Sequence, residues 1–83
     1  MKVIFCRWKS ICEVGIDNAL KRLGFDVVYM NRAFKSVDYD EGYLKELAAL
    51  IQQTKDVLCV FSVNFQPIIA RTCKVFKLPY LSW

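Results

Sequence analysis

From Val57 to Val63 the chain is apolar at every position but Ser62. The run is too short for a helix and too unbroken for a strand with one wet face, so it predicts a strand covered on both sides, in the middle of a sheet. Asn64 follows, with a side chain able to accept from backbone N–H groups two or three residues on, and Pro67 stands where a first helical turn tolerates a residue without an N–H. The pattern therefore delivers a polar side chain to the mouth of a helix. In open parallel sheets that is the edge where ligands bind, because strand ends there meet helix N-termini.

The other segments alternate in type. Lys2–Cys6 reads as a short buried strand, after which Arg7–Lys9 leaves the sheet. Ser10-Ile-Cys-Glu13 has the form of a capping box, and Cys12, Ile16, Ala19, Leu20 and Leu23 recur at helical spacing, leaving Asp17, Lys21 and Arg22 for water. Gly24 is the expected left-handed stop. Phe25–Met30 is a second strand, and Asn31–Tyr39 a loop without a clear period. Asp38-Tyr-Asp-Glu41 offers a second capping box before a helix whose apolar side is Tyr43, Leu44, Leu47, Ala48, Leu50 and Ile51, with Glu41 and Lys45 paired at i, i+4. After the central strand, Phe65, Ile69, Cys73 and Phe76 line a third helix, and Leu78-Pro79 ends it before a last strand, Tyr80–Trp83.

Strand and helix in strict alternation predict a three-layer α/β domain with a parallel four-stranded sheet, Rossmann-like or flavodoxin-like. Order 2-1-3-4 is favoured: it sends the connections from the first and third strands to opposite faces and opens a crevice between Arg7–Glu13 and Asn64–Pro67. Order 3-2-1-4 is the alternative, and it would separate those loops by two strand spacings, roughly 10 Å.

Composition adds limits. Eighty-three residues at 55% hydrophobic content hold one domain, residues 1–83, with a modest core. Neither a membrane span nor a signal peptide is legible, so a cytoplasmic chain is expected. Cys6, Cys12, Cys59 and Cys73 are widely spaced and fall mostly on apolar faces, which suits reduced thiols. The net charge of +4 comes without a block of like charges, and neither it nor the exposed aromatics carry a nucleic-acid motif, so no nucleic-acid partner is expected. The last strand lacks the loop and helix that usually cover one. That suggests a piece of a longer chain, or else an uncovered edge that pairs with another copy.

Competing chemistries do not fit the loops equally. A dinucleotide fold needs Gly-x-Gly-x-x-Gly after the first strand, and the chain has only Gly15 there. A phosphorelay receiver needs acids after the first and third strands, where Cys6-Arg7 and Asn64 stand instead. The chain contains no histidine and no Cys-x-x-Cys, which excludes His-dependent bases and zinc-site patterns. A small phosphocarrier or thiol enzyme using Cys6 is the main rival, similar to the IIB domains of sugar phosphotransferase systems. There a thiol ends the first strand and gains from a helix N-terminus. Against it, Arg7-Trp8-Lys9 is bulky for a phosphate cradle. A low-molecular-weight phosphatase would need Arg where Cys12 stands.

Three blocks carry a resemblance: Arg7-Trp-Lys-Ser-Ile-Cys-Glu13, Val60-Phe-Ser-Val-Asn-Phe-Gln-Pro67, and Leu78-Pro-Tyr-Leu-Ser-Trp83. Together they resemble the N-terminal region of the uncharacterised glycosyltransferase-like proteins that include the spore maturation protein B group, over almost the whole chain. In that family a Ser-Ile-x-Glu turn, a Phe-Ser-Ile-Asn-Phe segment and a Pro-Tyr-x-x-Trp strand recur, followed by an Asp and a Pro. This chain has Val63 for the commoner Ile and stops before the Asp-x-Pro.

The resemblance implies a GT-B glycosyltransferase of two Rossmann-like halves facing a cleft, with this chain the leading portion of the acceptor half. It would bind rather than catalyse, without a cofactor or metal of its own. A nucleotide sugar would be donor in the parent chain, and the C-terminal domain its partner. Ser10, Glu13, Asn64, Phe65 and Trp83 would line the acceptor cleft, with Arg7 and Lys9 beside them for a phosphate. For Ser10 and Glu13 helix capping fully explains the spacing and is the favoured reading, and for Arg7 and Lys9 a solvated surface is.

Overall fold

The computed structural model describes residues 1–7, 13–30, 40–63 and 65–82. Four strands, β1 (Lys2–Cys6), β2 (Asp26–Met30), β3 (Val57–Ser62) and β4 (Tyr80–Ser82), alternate with three helices, α1 (Glu13–Arg22), α2 (Glu41–Gln53) and α3 (Pro67–Val75). Every pairing is parallel and the order is β2-β1-β3-β4. Order 3-2-1-4 is thereby excluded. The apolar runs with little alternation are the two inner strands: Val3, Ile4, Phe5 and Cys6 are all buried, as are Cys59, Val60 and Ser62.

Crossovers in this order place α1 on one face of the sheet and α2 and α3 on the other. On the α2/α3 face Ile4, Cys6, Met30 and Val60 meet Tyr43, Leu47, Ile51, Ile68, Ile69 and Cys73 in one core cluster. On the α1 face the inner strands join through an edge-to-face pair, Phe5 and Phe61, with ring centroids 5.7 Å apart. A register shift between Lys2 and Val3 leaves Leu58 as an extra residue in β3, two positions after Asp56, whose φ is 60°.

Several helix boundaries differ from the sequence expectation, each for a local reason. The box at Ser10 lies outside the described residues. At α2, Asp40 rather than Asp38 is the N-cap, its Oδ1 accepting from the Tyr43 N–H at 3.2 Å, the ordinary reach to the third helical residue. At α3, Pro67 is in the first turn as expected, but Gln66 is the N-cap and makes no side-chain cap bond. Phe65 is therefore not on the helix. The buried stripe of α3 is Ile68, Ile69, Thr72 and Cys73, and Phe65 stands in the preceding turn, 61% exposed.

Both α1 and α3 end in Schellman geometry. Gly24 (φ 90°) donates to Lys21 and Phe25 donates to Leu20; Lys77 (φ 56°) donates to Lys74 and Leu78 to Cys73. The stop at Gly24 was legible because glycine tolerates positive φ; the one at Lys77 was not.

The apolar stripe expected on α1 is the largest departure. Of its ten residues only Glu13 is buried; Ile16 and Leu20 are half-buried, Ala19 is exposed, and Leu23, past the helix end, is 73% exposed. Asp17 and Lys21, expected in water, instead carry the contact with β2. The Tyr29 hydroxyl donates to Asp17 Oδ1 at 2.6 Å, and Lys21 Nζ lies 3.1 Å from Asp17 Oδ2 and 5.6 Å from the Tyr29 ring centroid.

Candidate functional site

Order β2-β1-β3-β4 puts the topological switch between β1 and β3, whose carboxyl ends are neighbours about 4.8 Å apart. The chain leaves β1 toward α1 and leaves β3 toward α3, so two walls face across the switch. The strand ends expected to neighbour each other do so; residues 8–12 and 64 of the two loops lie outside the described residues.

On the α1 side, Arg7 continues β1, held by its N–H bond to the Met30 carbonyl at 2.9 Å. Its guanidinium lies 5.5 Å from the Tyr29 ring centroid, and its Nε is 3.7 Å from Glu13 Oε1. That separation is an ion pair without hydrogen-bond geometry. Glu13, the first residue of α1, is only 2% exposed. A carboxylate at a helix N-terminus beside a guanidinium suits both the helix dipole and the ion pair. Burial turns Glu13 toward the protein rather than toward an open cleft. Arg7 is the half-exposed member.

The α3 side is built on a residue that sequence reasoning did not single out. Tyr80, at the start of β4, packs its ring against the α2/α3 core and brings its hydroxyl to the end of β3, where it hydrogen-bonds Ser62 Oγ. The same oxygen accepts from the Gln66 N–H at 3.0 Å. Phe65 lies against the Tyr80 ring at a tilt of 36°, centroids 5.6 Å apart. Burial raises the pKa of Tyr80, the bonds from Ser62 and Gln66 opposing it only in part. The hydroxyl therefore stays protonated at neutral pH. One sequence signal points to this residue: a tyrosine opening the strand that pairs with the polar interruption, Ser62, in an apolar run.

Little of the anion-binding capacity expected at this helix end remains. Gln66 already donates to Tyr80, Pro67 has no N–H, and the Ile69 N–H turns back to the Gln66 carbonyl at 3.1 Å. The arrangement favours contact with an apolar ring face on Phe65 over capture of a phosphate.

Cys6 ends β1 as expected but points into the core. It is 1% exposed, and burial pushes its thiol up to about 12, a hydrogen bond with Tyr43 working the other way and the nearby Cys73 adding to the rise. A thiol so placed is protonated and sealed at neutral pH, which argues against Cys6 as a nucleophile or phosphate carrier. Of the remaining candidates, Lys9, Ser10, Asn64 and Trp83 lie outside the described residues. Among the described residues no cluster of His, Cys, Asp or Glu could hold a metal ion, and no helix is long and apolar enough to cross a membrane.

No family model, curated protein or solved structure matches this chain, so the site stands on its own geometry.

Proposed function

We propose that the chain is the acceptor-side, Rossmann-like half of a GT-B glycosyltransferase, akin to the glycosyltransferase-like proteins that include the spore maturation protein B group. It binds a sugar acceptor at the β1/β3 switch. The donor nucleotide sugar belongs to a second, C-terminal half, and this half supplies binding and orientation. The proposal places the protein in the cytoplasm, in keeping with thiols that are free and buried at Cys6, Cys59 and Cys73.

The observation that carries the reading is Phe65, an exposed ring at the carboxyl end of β3, backed by Tyr80. A pyranose has one apolar face and a rim of hydroxyls. An aromatic ring takes the first and a guanidinium can donate to the second.

The test is an NMR titration of the isotope-labelled 83-residue chain with cellotriose, maltotriose and chitotriose. Binding is expected to move the Arg7, Phe65 and Gln66 amides and to shift the trisaccharide ring protons upfield over the Phe65 ring. Silence with all three sugars, or shifts confined to the outer surfaces of α2 and α3, would refute the assignment.

A further inference from the structure

We infer that Tyr80 is the positioning residue of this site, one that never touches the ligand but sets the Phe65 ring and the turn into α3 through its hydroxyl and its ring. The inference rests on the binding reading above and assigns a role to an edge-strand residue that neither strand pairing nor core packing requires.

Three contacts converge on this one side chain. The ring packs on the core, which fixes where it can lie. The hydroxyl bridges the end of β3, at Ser62, to the N–H of Gln66 four residues on. The ring also backs Phe65. Packing alone would be met by phenylalanine. What tyrosine adds is a fixed partner for a backbone donor in the turn that carries the exposed ring.

The need for such a partner is visible in the turn itself. Among the described residues, Gln66 at the N-cap makes no side-chain cap bond and Pro67 cannot donate, so the cap residue itself does not close the turn. Tyr80 closes it from a different strand. β4 is itself held to β3 by a parallel ladder and by the Val60 N–H bond to the Pro79 carbonyl at 3.0 Å. The orientation of Phe65 therefore depends on β4 being docked. An exposed ring that rotates freely would bind a sugar face weakly, because ordering it costs entropy on binding; a ring already held does not incur that cost.

The experiment is a double-mutant cycle on the trisaccharide that binds the wild-type chain, comparing Tyr80→Phe, Phe65→Ala and the double variant. Ile51→Val, in α2 and outside the site, serves as the control for loss of stability. Tyr80→Phe is expected to weaken binding about tenfold, to add nothing in the Phe65→Ala background, and to speed hydrogen exchange at the Gln66 amide at least tenfold while the Val60 amide is unchanged. The Ile51→Val control should bind as wild type. Wild-type affinity in Tyr80→Phe, or losses that simply add in the double variant, would overturn the inference. If no trisaccharide binds the wild-type chain, the sugar reading falls, and Gln66 exchange then decides the positioning role: faster exchange in Tyr80→Phe upholds it, and an unchanged rate overturns it.

Discussion

On one face of the sheet α2 and α3 cover Ile4, Cys6 and Val60 with Leu47, Ile68 and Ile69, all of them fully or almost fully buried. On the other face α1 lies over β2 with a single buried residue, Glu13, and meets the sheet through Tyr29, Asp17, Lys21 and Arg7. The first face is held by apolar area, which is non-directional and grows with every atom removed from water. On the second, Val3 and Phe5 of the sheet are buried too, but α1 brings only half-buried apolar residues to it. The contacts of α1 are mostly directional ones, whose net worth is small and depends on salt and pH. The two walls of the candidate site inherit this difference. The α3 wall, with Tyr80 and Phe65, is anchored in the dry core; the α1 wall, with Arg7 and Glu13, is set by charge.

Truncation separates the two faces most strongly. Leu47→Ala, at a fully buried position of α2, is expected to cost about 3 kcal/mol, within the range for buried leucine. That is a large share of a total on the order of 4–12 kcal/mol for a chain of this size. Leu20→Ala, on the half-buried side of α1, should cost roughly a third as much. Urea denaturation at fixed pH measures both. Equal losses would mean that α1 is packed as tightly as α2 and would erase the contrast.

High pH tests the same face by another route. Burial pushes Cys6 up to about 12 and Cys73 up to about 11, both in the core cluster of that face. A folded-state pKa above the unfolded one means that stability is fully present below about 9 and is lost as pH rises through the folded value. The unfolded chain releases its thiol protons first, so between pH 9 and 11 stability should fall by up to about 1.4 kcal/mol per pH unit for Cys6 and for Cys73. Denaturation midpoints at pH 8, 9 and 10 check the slope, and Cys6→Ala should make it shallower. Alkylation of Cys6 in the folded protein at pH 8, at the rate of a free thiol, would show that the core is not sealed.

The contrast between faces also marks what could be read in the sequence. Buried strands, helix period and βα alternation gave the architecture, because unbroken apolar runs such as Val57–Val63 have few other solutions. The stop at Gly24 and the i, i+4 pair of Glu41 and Lys45, 3.1 Å apart in the structure, follow from local rules. Residues whose role is set by a distant partner were not legible. Asp17 looks like a solvated helix residue until Tyr29, twelve positions away, is brought against it. Tyr80 looks like one apolar residue of a last strand until its hydroxyl meets Gln66, fourteen positions back. Phe65 fits a helical period with Ile69 and Cys73, yet Pro67 starts the helix two residues later and leaves the ring outside. The adjacency of the β1 and β3 ends was available in advance; the burial of Glu13 and the Tyr80 scaffold behind Phe65 were not.

The smallest effect probes the polar face directly. Tyr29→Phe keeps the ring under Arg7 and Lys21 but removes the hydrogen bond to Asp17, and should cost about 1 kcal/mol, less than the roughly 1.5–3 kcal/mol of a bond to a charged group because this one is only part-buried. The pH dependence gives the sign. Burial disfavours the charged form of Asp17, but the bonds from Tyr29 and Lys21 and the charges of Lys21 and Arg7 outweigh it, and its pKa falls below the usual value. A folded-state pKa below the unfolded one gives stability that is present above about 3.8 and is lost as pH falls through the depressed value. Removing the Tyr29 hydroxyl takes away one of the groups that hold the carboxylate ionised, so the variant should lose less on acidification than the wild type, and the two stabilities should converge toward pH 2. Denaturation curves at pH 7, 4 and 2.5 measure this. A difference that stays constant with pH would mean that Tyr29 holds α1 by packing alone, and that the two faces are governed by the same apolar physics after all.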